Sequence, residues 1–111
     1  MEALSQQVLK QVADYFQALS DCTRLRILNL LREGEQNVGD LARACGCTSA
    51  NVSRHLALLV KLGLVSREGR GTSVYYQIAD PSVFRLCEVV CDNLARNVGQ
   101  APRPRRGALA K

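Results

Sequence analysis

Cys47-Thr48-Ser49-Ala50-Asn51-Val52-Ser53-Arg54-His55-Leu56-Ala57-Leu58-Leu59-Val60-Lys61-Leu62-Gly63-Leu64-Val65 decides how this chain folds. Thr48 can cap a helix, because its hydroxyl accepts from the free amides of a first turn. Val52, Leu56, Leu59 and Leu62 then recur at helical spacing and form one apolar stripe. Gly63 ends the helix as a left-handed cap. Ser49, Asn51, Ser53, Arg54 and His55 fall on the other faces, mostly near the helix start. Small polar side chains there suit base edges and phosphates in a major groove. The competing reading of this helix alone is a solvated polar face without a partner.

The segments before it supply the rest of a helix-turn-helix. Residues 3–19 carry Leu4, Val8, Val12, Phe16 and Leu19 on one side and predict an amphipathic helix. Ser20 or Asp21 can cap a second helix over about 21–33, with Leu25, Ile27, Leu28, Leu30 and Leu31 inward and Gly34 at its end. Asn37 or Val38 starts a short third helix that Gly46 breaks, with Val38, Leu41, Ala42 and Cys45 on one face. A turn of about three residues then leads into the quoted helix, the tight junction of a helix-turn-helix.

Beyond Gly63, Leu64–Glu68 and Ser73–Ile78 flank Gly69-Arg70-Gly71-Thr72, which marks a β-hairpin. A hairpin directly after such a helix is a wing, and Arg67 and Arg70 at or near its tip would meet backbone phosphates. Two solvated arginines are the plainer alternative. Pro81 suits the first position of a last helix over about 81–98. Its apolar stripe is Val83, Leu86, Cys87, Val90, Cys91, Leu94 and Val98. The fold class is therefore mainly α with a small β-hairpin wing, in the order α-α-α-α-β-β-α. Residues 1–98 form one winged helix-turn-helix domain.

Composition agrees with one soluble globular domain: 111 residues, 47% apolar and 23% charged. No run is long enough to span a membrane. The N-terminus lacks the regions of a signal peptide, so a cytoplasmic protein is expected. Fifteen basic residues against ten acidic give +5, but Arg103, Arg105, Arg106 and Lys111 lie in the Pro-containing stretch 99–111, and without them the balance is +1. That stretch reads as a disordered tail, either a phosphate attractor or a solvated end.

Ala18-Leu19-Ser20-Asp21-Cys22-Thr23-Arg24-Leu25-Arg26-Ile27-Leu28 and Val52-Ser53-Arg54-His55-Leu56, within this order of elements, resemble the ArsR/SmtB family of bacterial repressors over about residues 8–95. The family carries proline where this chain has Cys22. The resemblance implies a homodimer joined through the first and last helices. It implies binding to palindromic, double-stranded operator DNA and release by an inducer, without enzymatic activity. It does not carry over the best-known inducer sites. The family's zinc positions on the last helix hold Asp80, Ser82, Asn93 and Arg96 here, and an arginine repels a cation. The cysteine pair of the arsenic and cadmium sensors falls on Asn37 and Gly39. A second cadmium pattern falls on Leu58 and Leu62. The helix-two thiol of the persulfide sensors falls on Asn29.

Cys22, Cys45, Cys47, Cys87 and Cys91 are a high count for a short chain expected in a reducing compartment. Cys87 and Cys91 are four apart on a helix, with Cβ atoms ~5–6 Å apart. A disulfide wants ~3.8 Å, whereas a soft metal with ~2.3 Å bonds to each sulfur spans the gap. They are the first candidate ligands of a soft metal or metalloid ion such as As(III) or Cd(II). Cys45 and Cys47 are the second pair, hinged by Gly46. Cys22, at a helix start where the positive end promotes thiol reactivity, is a possible third thiol. Free cysteine also packs as a small hydrophobe, so each has a structural alternative. A thiol redox or reactive-sulfur switch without metal is the second functional reading. A winged-helix protein-interaction module with structural cysteines is the third. No Cys-x-x-Cys is present, and the single histidine is committed to the quoted helix.

Overall fold

The computed structural model describes residues 3–98, so the expected tail at 99–111 lies outside the described residues. Five helices and a three-stranded sheet follow in the order α1 (Gln6–Ala18), α2 (Cys22–Leu31), β1 (Gln36–Asn37), α3 (Val38–Cys45), α4 (Ser49–Lys61), β2 (Val65–Arg70), β3 (Ser73–Ile78) and α5 (Ser82–Val98). This is the winged helix-turn-helix expected from the sequence.

Side-chain caps set the helix starts. Ser5 accepts from the Val8 amide at 3.2 Å, Asp21 from Arg24 at 3.0 Å, Asn37 from Asp40 at 2.8 Å and Thr48 from Asn51 at 3.1 Å. Each satisfies an amide that the helix itself cannot. Between α3 and α4, Gly46 takes φ 65°, a left-handed turn open to glycine at little cost, and Gly63 (φ 79°) does the same after α4.

The sheet order is β1-β3-β2. β1, which the sequence did not predict, pairs Gln36 with Tyr76 and Asn37 with Tyr75. Two residues carry no alternation, so only tertiary pairing reveals them. The wing is also tighter than expected. Arg70 pairs with Ser73, leaving Gly71 and Thr72 as the whole turn, and Arg67 pairs with Tyr76. Arg70 is therefore at the tip, while Arg67 stands midway along the hairpin, a correction to its expected tip position.

The core gathers Ile27, Leu28 and Leu31 from α2, Leu41 and Ala42 from α3, and Val52, Leu56 and Leu59 from α4. Leu64, Val65, Tyr76 and Val83 close it. Leu25, expected inward, is 38% exposed, because the core takes the adjoining face of α2. The apolar stripes of α1 and α5 fare differently. Ala18 is the one buried residue of α1, while Phe16 is 50% exposed and Val90 and Leu94 of α5 are each 49% exposed. Contiguous apolar surface of this kind marks an interaction face.

Candidate nucleic-acid interface and thiol groove

The caps and the buried stripe of α4 turn its opposite face outward at its N-terminal end. Ser49, Ser53 and Arg54 are exposed there, and Asn51 is half-buried. Asn51 Oδ1 accepts from Arg54 Nη2, which holds the guanidinium along the helix face. Arg67 is exposed on β2.

Two of the expected contact residues are already engaged. The His55 side chain is only 16% exposed and is turned toward the start of α2. Its Nδ1 is 3.2 Å from Arg24 Nη1, and its Nε2 is 4.0 Å from Asp21 Oδ2. The sequence set His55 among the groove-facing residues of this helix; the structure turns its side chain toward α2 instead of out along the exposed face. Arg70 is gripped by two acids. Nη1 and Nη2 each donate to Glu35 at 2.6 Å, and Nε donates to Glu68 at 2.9 Å. Its guanidinium also lies 4.9 Å from the centre of the Tyr75 ring. These bonds pull the Glu35 carboxyl below the usual carboxylate range and raise Arg70 further above its own. The wing tip thus offers a neutralised arginine rather than a free cation. Asp21, Arg24 and Glu35 were not singled out from the sequence. Asp21 carried a signal as a cap; the long-range partners of Arg24 and Glu35 carried none.

The thiols divide into two groups. Cys45 and Cys47 are half-buried and pack against the core. Cys47 Sγ donates to the Cys45 carbonyl at 3.5 Å. Burial, then Cys47, pushes the Cys45 thiol up, against a smaller opposing pull from Arg26. Both thus pack against the core, joined by this one local hydrogen bond.

Cys22, Cys87 and Cys91 instead line one groove of about 640 Å³ between α1, α2 and α5. Its other walls include Phe16, Leu19, Leu25, Val83, Val90 and Leu94. Cys22 is exposed, and Cys87 and Cys91 are half-buried. Burial, then Cys91, pushes the Cys87 thiol up, against a smaller opposing pull from Arg32. Arg32 stacks over Phe84 at 4.9 Å from the ring centre. Burial, Asp80 and Cys87 together raise the Tyr15 hydroxyl. Among the described residues, no three His, Cys, Asp or Glu stand close enough to hold one ion. Cys22 therefore shares the groove without completing a three-thiol set in this conformation.

The model of the bacterial regulatory proteins of the arsR family matches residues 21–67. The chain is 38% identical over 93 residues to a transcriptional repressor SmtB homolog of Synechocystis, covering 84% of this chain and 70% of that protein. It superposes with TM-score 0.73 and 35% identity on the homodimeric winged helix-turn-helix DNA-binding domain Mb0332 of Mycobacterium bovis, covering 91% of this chain and 96% of that one. It superposes with TM-score 0.73 and 30% identity on the AntR antimony-specific transcriptional repressor, covering 90% and 91%. Among the described residues, no helix is long and apolar enough to cross a membrane.

Proposed function

This chain belongs to the ArsR family of bacterial regulatory proteins, DNA-binding regulators rather than enzymes, and from that premise we propose a homodimeric repressor released from its operator by a thiophilic inducer. The dimer forms through the exposed apolar stripes of α1 and α5. Ser49, Asn51, Ser53 and Arg54 read the major groove, and Arg67 meets phosphate, as does Arg70 once freed from its acids. His55 orients α4 from behind. Residues 1–98 form the operating unit, with 99–111 as a basic appendage.

The carrying observation is the groove that gathers Cys22, Cys87 and Cys91. Cys87 and Cys91 bind a soft metal or metalloid ion such as As(III) or Cd(II), each thiol releasing its proton as a thiolate–metal bond forms. The antimony-specific relative supports a trivalent thiophile. Phe16, Val90 and Leu94 both line the groove and belong to this dimer face, so an ion there acts where the two protomers meet. A thiol redox or reactive-sulfur switch is the second reading. It is favoured by the lack of any three-ligand group among the described residues.

The test is selection of duplexes from a random DNA pool by the reduced protein, followed by titration of the selected duplex. The proposal expects an inverted repeat with half-sites about 10 bp apart or a multiple, and loss of affinity on adding As(III) or Cd(II). No enriched sequence would remove the repressor reading. Binding that ignores both ions but falls with polysulfide would replace the metal reading by the second.

A further inference from the structure

Arg24 ties three elements together. Its Nε donates to the Ala18 carbonyl at 2.6 Å, and its Nη2 donates to the Gln17 carbonyl at 3.1 Å. Both acceptors belong to the last turn of α1, and the Gln17 carbonyl also accepts from the Ser20 amide at 3.1 Å and the Ser20 hydroxyl at 2.7 Å. Its Nη1 lies 3.2 Å from His55 Nδ1 on α4. The amide of Arg24 itself is fixed by the Asp21 cap. A guanidinium carries donors only, so a hydrogen bond at this contact makes His55 Nδ1 the acceptor and leaves the hydrogen on Nε2, 4.0 Å from Asp21 Oδ2. Because the guanidinium is planar and rigid, its donors cannot follow independent movements of their three acceptors.

Both feet of this clamp lie between residues of α1 and its cap that wall the thiol groove. Phe16 and Leu19 line the groove and bracket Gln17 and Ala18 in sequence. Cys22 lines it too, next to Asp21 and two residues before Arg24. The clamp's far end is the recognition helix. We propose that Arg24 is the positioning residue that passes the state of the groove to α4. A shift of the α1 end relative to α2 breaks one of its bonds and frees His55, and α4 loses its set angle. This inference rests on the reading of the groove as the sensing site, and its test separates the two.

The chain has a single histidine, so imidazole ¹H–¹⁵N NMR of the full, untagged chain reads α4's anchor alone. The reduced wild type is expected to show the Nε2–H tautomer. N-ethylmaleimide coupled to exposed Cys22 is expected to shift the His55 signals in the wild type and leave them unmoved in Arg24→Gln. The same pair is compared on the selected duplex with As(III). The wild type is expected to lose affinity within the roughly 5–150-fold range of ordinary coupling, whereas Arg24→Gln, still dimeric and still binding the ion by native mass spectrometry, changes less than twofold. Arg24→Lys, a point donor, is expected to fall between them.

If As(III) has no effect on the wild type while the maleimide shifts His55 only when Arg24 is present, the inducer assignment fails and the clamp stands. If the maleimide shifts His55 equally with and without Arg24, or not at all, the clamp is refuted. Should Arg24→Gln lose its helical circular dichroism, His55→Leu cuts only the link to α4. It is expected to show the same loss of coupling, and a full wild-type response would overturn the proposal.

Discussion

Phe16→Ala is the sharpest probe of the dimer face. Phe16 lies near the end of α1 and is 50% exposed, although its ring meets Tyr15 edge-on at 6.1 Å between centroids. A fully covered aromatic side chain removes about 150–250 Å² from water, so roughly 100 Å² of Phe16 is left for a partner. At ~25 cal/mol per Å² this is about 2.5 kcal/mol for each protomer. In a two-fold interface the same residue counts on both sides, so the dimer gains about 5 kcal/mol from it. Alanine keeps the Cβ, so the loss is about 4 kcal/mol, close to a thousandfold in the dimer dissociation constant. Alanine also favours helix, so α1 itself is not weakened. Sedimentation velocity across a concentration series measures the constant, with circular dichroism to confirm the fold. A dimer constant changed by less than about tenfold would refute the assignment of α1 to the interface.

Three further outcomes are expected. Leu56→Ala, at a site with no exposure in the centre of the core, costs about 3–5 kcal/mol in urea unfolding; a loss below 1 kcal/mol would contradict the packing described. Glu35→Gln releases one side of Arg70, so the plot of log affinity against log salt steepens by about 0.9 for each phosphate that Arg70 then neutralises; an unchanged slope means Arg70 does not reach DNA. Because Arg70 holds the Glu35 carboxyl low, the brace is intact above the unfolded carboxylate's range and is lost as pH falls through the lowered value, so the wild type should approach the Glu35→Gln slope in acid. In iodoacetamide labelling of the reduced protein, exposed Cys22 reacts ahead of Cys87, whose thiol burial pushes up. The Cys87 rate should rise by up to about tenfold for each pH unit below its raised value; equal rates at neutral pH would contradict the burial.

The helices α2 and α4 were legible because a cap led into an apolar stripe: Thr48 into Val52, Leu56 and Leu59, Asp21 into Ile27, Leu28 and Leu31. Periodicity, however, shows that a face is apolar and not what covers it. The stripes of α1 and α5 looked like that of α4, yet Val8, Val12, Phe16, Val90 and Leu94 remain exposed in one protomer, while Val83 at the start of α5 joins the core. The strand at Gln36–Asn37 was too short to alternate. Pairing between distant side chains had no local trace. The grip of Glu35 on Arg70 spans 35 positions and the Arg24–His55 contact spans 31, and these two interactions engage two residues that the sequence alone left free for DNA. The cysteines were half legible. Spacing placed Cys87 and Cys91 on one face of a helix, but only the packing of α2 against α5 brings Cys22 into their groove while Cys45 and Cys47 settle against the core.

The central claim is that the groove thiols bind a thiophilic inducer, and native mass spectrometry of the reduced, anaerobic protein tests it most directly. With As(III) or Cd(II), the account predicts a dimer that gains one ion per protomer, loses a proton for each thiolate formed, and fails to do so after Cys87→Ser and Cys91→Ser. A dimer whose mass is unchanged by either ion, or one that binds them equally well without those two cysteines, would contradict it.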